Sequence, residues 1–421
     1  MNPSNDLTQP NSTDNLPNTT TALEATMTNT LVKPAAPLSS KFEAIETAMQ
    51  TDVLERQREI HAAIIALISR KHFFMVGPPG VAKSYLVRRM MDRIDFGTDD
   101  NAYFQWLLTK YTTPEEVFGP PSLAELEKGN YKRNTEQKLP TAKIAFLDEI
   151  FKANSSILNA LLTIMNERLF FNNGDQERVD LSSIFGASNE LPDDEGLHAL
   201  WDRLHFRFHV QPLQESGNFV RMLSTHRVEN PEKLVNWQEI GQAQAEANAV
   251  ELPTDIYDAL KSLRDNLKKE GVEPTERRFV ESLDIIKAEA WFHGRTVADI
   301  DDLRPLRHVM WSRLEEQRIV ERTVLELGNP IDKEAHELLE RVEGLDNQLS
   351  EAIATSDGPK AVAKQAVEIH AKLHKSKSKL DDLQKRAKDA QRQSDTLEEL
   401  NRKFTEVAKR LMKDGFGMDG D

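Results

Sequence analysis

With 421 residues the chain is long enough for two or three folded units with sizeable cores. A formal net charge of -15 argues against a duplex-DNA binder working by bulk electrostatics, because phosphate neutralisation needs clustered Lys and Arg. The absence of cysteine removes disulfide frameworks, thiolate metal sites and cysteine nucleophiles. No apolar run reaches the roughly 18 residues of a spanning helix, and the N-terminus carries no basic-then-apolar leader, so a cytoplasmic protein without membrane insertion is expected.

Residues 1–40 are rich in Asn, Thr, Ser and Pro and nearly free of aromatics; they read as a disordered tail, with a partner-docking peptide as the alternative. From Lys41 an amphipathic helical pattern runs through Leu54, Ile60, Ile64, Leu67 and Ile68, and the apolar run His72–Val76 that follows predicts a buried strand ending at Gly77. Further strands are predicted at Tyr103–Leu108, Ile144–Leu147, Ser183–Ala187 and Phe206–Gln211, alternating with helical stretches. The alternation predicts a doubly wound parallel-sheet α/β domain over 41–215. Helical periodicity from Ser216, as in Ile256, Leu260, Leu263 and Leu267, predicts an all-α lid over 216–329.

Residues 330–421 read as a charged helical hairpin or coiled-coil arm, broken once at Ser356–Pro359. Small and apolar residues then recur at Val362, Ala366, Ile369, Leu373, Ser376, Leu380, Leu383, Ala387, Ala390 and Leu397, the spacing of a heptad seam. Its Ala and Ser positions favour packing against the preceding helix over a free-standing dimer.

Between the first predicted strand and a helix opening at Tyr85 lies Gly77-Pro78-Pro79-Gly80-Val81-Ala82-Lys83-Ser84, which fits the phosphate-binding P-loop with Ala82 in place of its second glycine. Backbone N–H groups of such a loop and of the helix start cradle the β-phosphate of ATP. Lys83 would reach the β- and γ-phosphates and Ser84 would ligate Mg2+, so Gly77 through Tyr85 form the candidate nucleotide-binding set. About sixty residues on, the apolar strand Ile144–Leu147 ends in Asp148 and Glu149, at the strand edge where open α/β sheets bind ligands. Asp148 would hold Mg2+ through water, and Glu149 would act as general base towards the attacking water.

These two motifs, read with Gly186-Ala187-Ser188-Asn189 and the arginines that follow, resemble the AAA+ superfamily. The resemblance implies that Asn189 is a first sensor orienting the hydrolytic water. It also implies that Arg203, or failing that Arg207, is a finger completing a neighbouring subunit's site, and that Arg277 is a second sensor touching the γ-phosphate in cis. Thr112–Pro120 and Asn159–Arg168 are further similar to the MoxR family, and Asn218–Leu223 with Gly294-Arg295-Thr296 through Leu303 to its RavA-like branch. The resemblance spans roughly Lys41 to Ile319.

Implied by it are an ATP-hydrolysing homo-oligomer, a hexameric ring by expectation, and a chaperone-like role in remodelling or maturing a partner complex. A protein bearing a von Willebrand factor A (vWA) domain is the implied partner. No strand-like run follows Asn329, so the β-rich module of RavA-like proteins is not expected. A nucleic-acid motor or loader is the alternative the fold would also support. The acidic charge counts against it, and the basic run Lys372–Lys388 carries no interleaved aromatics. His205 and His209 have no third ligand in view and are not read as a zinc site.

Overall fold

The computed structural model describes residues 37–192, 195–224, 231–328, 330–355, 359–389 and 395–416. Of the tail expected over 1–40, residues 1–36 lie outside the described set.

Helices α1 (Leu38–Asp52) and α2 (Gln57–Ile68) lead into β1 (Phe73–Val76). The continuous helical pattern expected from Lys41 is divided because Val53 is extended and Glu55 takes a left-handed φ of 56°, which ends the hydrogen-bond ladder. From Ala62 to Ile68 every residue of α2 is buried, as befits a helix with apolar groups all round.

The chain continues through α3 (Lys83–Met91), β2 (Ile94–Asp95), β3 (Tyr103–Leu107), α4 (Pro114–Phe118), α5 (Leu123–Leu126), β4 (Ile144–Asp148) and α6 (Ser155–Glu167). It then forms β5 (Leu169–Asn172), β6 (Asp175–Arg178), β7 (Ser183–Ser188), α7 (His198–Arg203) and β8 (Phe206–His209). Five strands make one parallel sheet in the order β3-β4-β7-β1-β8, and they are the five expected from the apolar runs. Every residue of β1 and β7 is buried, as a parallel sheet covered on both faces requires. The onward connection from β1 leads to β3 on one side while β8 lies on the other. Strand order therefore reverses at β1, and the carboxyl end of β1 is where a ligand crevice belongs.

An antiparallel hairpin, β5–β6, was not expected from the sequence. Its turn is Asn173-Gly174, both at positive φ, as a two-residue hairpin loop demands.

The lid opens with α8 (Ser216–Ser224), then β9 (Val235–Asn236), a two-residue strand that pairs with β2 and departs from the expected all-helical pattern. Helices α9 (Trp237–Asn248), α10 (Thr254–Lys269), α11 (Glu276–Phe292) and α12 (Gln317–Gly328) complete it, with the 3-10 segment Ile300–His308 between the last two. Asn236 and Glu239 close a capping box at the start of α9.

Arg278 of α11 fastens the lid to α7. Only 1% exposed, it donates to the Asp202 carboxylate at 3.0 Å and to the carbonyls of Val309, Trp201 and Trp311. Burial pushes its pKa down to about 10, so it remains a cation. An Arg278→Ala protein is expected to lose about 3 kcal/mol of stability, since the substitution strands a carboxylate and several carbonyls without their donor. Thermal or denaturant unfolding reads this directly, and an unchanged midpoint would contradict the assignment.

The arm contains α13 (Pro330–Thr355), α14 (Pro359–Asp389) and α15 (Asp395–Arg410), so the expected hairpin is joined by a third helix. These helices share a core of their own, built from Leu338, Val342 and Leu349 of α13, Ile369, Leu373 and Leu380 of α14, and Leu400 and Val407 of α15. The heptad seam of α14 is buried against them at Ala366, Ser376, Leu383 and Ala387. Residues 356–358 of the expected break, the Val362 side chain and Ala390 of the seam lie outside the described set. Among the described residues no strand follows residue 330, and no helix is long and apolar enough to cross a membrane.

Candidate nucleotide-binding site

The loop from Gly77 to Ser84 joins the carboxyl end of β1 to α3. A Cβ on Gly77 would lie 2.3 Å from the Val210 carbonyl oxygen, so only glycine lets β1 pass the segment after β8 at this point. Gly80 sits at φ +87° and Ala82 at φ 67°, both left-handed. An alanine holds that conformation at a cost of roughly 1–2 kcal/mol, which marks a backbone shape the surroundings impose. Val81 is buried and pins the loop, while Pro78, Pro79 and Gly80 face solvent at its rim. No side chain caps α3, so the N–H groups of its first turn are left for another acceptor.

Into this loop points Lys83. Its Nζ donates to Gly77 O at 2.6 Å, Pro78 O at 3.1 Å and Asn189 Oδ1 at 2.9 Å. Burial lowers its pKa, and the Asp148 and Glu149 carboxylates oppose that shift. Ser84 Oγ lies 3.3 Å from Asp148 Oδ2. One hydroxyl and one carboxylate beside a phosphate cradle suit Mg2+, which binds through few protein oxygens and completes its shell with phosphate and water. Tyr85, half-buried, follows on the first turn of α3, with the Arg89 guanidinium 5.9 Å from its ring centre.

Asp148 ends β4, in register with Ala187 of β7 and Leu107 of β3. Glu149 takes a left-handed φ of 53° directly after the strand, which turns its carboxylate towards β7. There Asn189 Nδ2 donates to it, Ser188 Oγ lies at 3.4 Å and Lys152 Nζ at 3.1 Å. Asn189 thus bridges Lys83 and Glu149. The expected nucleotide, metal and base residues and the first sensor all meet at the carboxyl ends of β1, β4 and β7. Lys152 was not singled out from the sequence, where a lone lysine three residues past an acid carries no signal.

The arginines are placed elsewhere. Arg203 and Arg277 line a cavity of about 780 Å³ together with Lys71 and His72 before β1, Ser182 before β7 and His205 before β8, hence at the amino ends of the strands. Arg203 donates to Ala199 O at 2.6 Å, and its Nε is buried without a partner. Burial lowers its pKa, and the neighbouring Arg277 charge adds to the effect. Arg277, expected on the γ-phosphate of its own subunit, instead stands beside Arg203, across the sheet from Lys83. The way α11 packs on α7 puts it there.

Arg207, the alternative finger, is fully buried. Its guanidinium lies 3.9 Å from the Trp201 ring centre and donates to the carbonyls of Leu204, Trp201 and Trp311, so it holds α7 to the lid and has no route to a neighbour. His72 and His205 are buried, their pKa values held well below the usual range by burial, and His72 Nδ1 accepts from Ile184 N–H at 2.9 Å.

Comparison with known proteins bears on the family and the fold. Residues 40–247 match the model described as the MoxR domain in the MoxR-vWA-beta-propeller ternary systems, and residues 255–324 match an AAA lid domain. An uncharacterized protein of Methanocaldococcus jannaschii is 37% identical over 310 residues, covering 73% of this chain and 80% of its own length. A second from the same organism is 34% identical over 379 residues, covering 88% of this chain and 100% of its own. A crystal structure from Cytophaga hutchinsonii, 18% identical, aligns with a TM-score of 0.55 over 69% of this chain and 95% of that one, a likeness of fold alone.

Proposed function

The chain belongs to the MoxR family of AAA+ ATPases, and from that premise we propose that it hydrolyses ATP in an oligomeric ring to remodel or mature a partner protein complex. The observation that carries the reading is the chain of contacts from Lys83 through Asn189 to Glu149 at the mouth of the P-loop. In it Lys83 would exchange the Gly77 and Pro78 carbonyls for the terminal phosphates of ATP, and Ser84 with Asp148 would hold Mg2+. When bound, the metal neutralises charge on those phosphates. Glu149 accepts the proton of the attacking water, and Asn189 keeps its carboxylate aimed at that water.

Arg203 and Arg277 cannot serve their own subunit from the opposite edge of the sheet. In this reading both act in trans, each copy offering the pair to the phosphates of the next. A ring is the assembly that pairs every site with a finger. The matched domain is named for systems that also contain vWA and β-propeller components, which supports a vWA protein as the partner. A cytoplasmic setting for the complex belongs to the same proposal.

The test is Glu149→Gln. The amide fills the same space and keeps a hydrogen bond to Asn189, but it cannot take the proton. ATP affinity should be unchanged, while turnover falls on the order of 10²- to 10⁴-fold, the range general base catalysis contributes. Normal turnover by this variant would remove Glu149 from the role of base.

A further inference from the structure

The cavity at the amino ends of the strands holds more positive charge than Arg203 and Arg277 account for. Six cationic side chains line it, Arg70, Lys71, Arg168, Arg178, Arg203 and Arg277, against Asp180, Glu281 and Asp284. Lys71 is satisfied by Glu281 and, at 2.7 Å, by Asp284. None of the five arginines forms an ion pair among the described residues, although the chain carries a net charge of -15. Carboxylates are abundant in so acidic a protein, and guanidiniums left without them around one hollow indicate a place kept for an anion from outside the fold.

Arg168 shows the same want of an acceptor at the level of atoms. It ends α6 at a left-handed φ of 55°, and its Nη2 donates to Arg70 O and Ser182 O, each at 3.0 Å. Those carbonyls fix the guanidinium, yet its Nη1 is buried with no acceptor. Burial and the Arg70 charge push its pKa down to about 10. Gln244 of α9 secures the wall beside it, donating to Ser182 Oγ at 2.8 Å and to Leu67 O at 3.0 Å. His72 and His205 are held neutral by burial and add no charge. Arg70 and Arg178, the last residue of β6, are exposed and free to close on a ligand.

We propose that Arg70, Arg168 and Arg178 form a second anion site, which takes a compact oligophosphate distinct from the ATP of the P-loop. A guanidinium fork offers two parallel N–H donors to a pair of phosphate oxygens. A phosphate group concentrates more negative charge than a carboxylate, which suits three guanidiniums around one hollow. At about 780 Å³ the cavity lies within the range of small-molecule sites. The site needs no neighbouring subunit, so it goes beyond the trans reading of Arg203 and does not rest on it.

The experiment is calorimetric titration of inorganic pyrophosphate, without Mg2+, into the full chain carrying Lys83→Ala, which disables the P-loop. One saturable site per chain is expected. Adding Arg70→Gln with Arg178→Gln should weaken it at least tenfold; both side chains are exposed, so folding should be retained. Adding Arg203→Gln with Arg277→Gln instead should leave most of the affinity. ADP is titrated in parallel: binding as tight as that of pyrophosphate supports the site with a nucleotide tail as its source, and weaker binding supports it with the free anion as its source. No saturable binding of pyrophosphate would overturn the proposal and leave the arginines to a carboxylate partner. Binding that survives Arg70→Gln with Arg178→Gln, or is lost only with Arg203 and Arg277, would also overturn it, and the shared-site reading would stand in either case.

Discussion

A Lys83→Ala protein is expected to lose ATP binding while remaining folded. In the structure the ammonium is satisfied by two P-loop carbonyls and Asn189, and ATP would exchange those contacts for charge-assisted bonds to two phosphates. At about 1.5–3 kcal/mol for each such bond, affinity should fall on the order of 10²- to 10⁴-fold. Of the carbonyls left behind, that of Pro78 sits at the exposed rim of the loop while that of Gly77 is buried, so stability without nucleotide should fall by about 1–3 kcal/mol, short of unfolding the protein. Saturating ATP raises the unfolding midpoint of any protein that binds it only when folded, by about 2.7 kcal/mol at a hundredfold excess over Kd. That shift should be present in the wild type and missing in the variant. A Lys83→Ala protein that bound and was stabilised by ATP as usual would place the phosphates elsewhere.

The sheet, and the gathering of Lys83, Ser84, Asp148, Glu149 and Asn189 at the carboxyl ends of its strands, were legible in the sequence because local pattern determines both. Strands buried on two faces, such as Phe73–Val76 and Ser183–Ser188, must be apolar at nearly every position, and a P-loop must follow its strand and precede its helix. Three kinds of feature escaped. The β5–β6 hairpin carried a readable signal, Asn173-Gly174, but β6 is Asp-Gln-Glu-Arg and almost wholly exposed, so its pattern shows no alternation. The two-residue pairing of β2 with β9 is too short to leave any periodicity.

The arginines depend on tertiary packing. Arg277 and Arg278 are adjacent in sequence, yet one lines a cavity and the other is sealed against Trp201, Val309 and Trp311. Likewise Arg203 and Arg207 both follow Trp201, but only the packing of α7 against the lid shows that Arg207 is stacked on that ring. Where α11 docks decides which edge of the sheet Arg277 serves, and no local pattern encodes that.

Arg203→Ala is expected to bind ATP almost normally and to hydrolyse it on the order of 10³-fold more slowly, the effect of removing a finger that stabilises charge in the transition state. Normal binding follows from its place at the amino ends of the strands, away from the P-loop of its own subunit. Slow hydrolysis follows only if a neighbour's Arg203 completes each site. Arg277→Ala should resemble it, whereas Arg278→Ala should act first on stability.

The most direct measurement is therefore the ATPase activity of a mixture of Arg203→Ala and Glu149→Gln proteins, each nearly inactive alone. In randomly mixed rings about a quarter of the interfaces join an intact Glu149 to an intact Arg203. A site shared between copies requires that activity reappear on mixing, and that wild-type turnover per subunit rise with protein concentration as rings assemble. No recovery on mixing, with wild-type turnover independent of concentration, would contradict the shared site and leave Arg203 a structural residue of a monomeric ATPase.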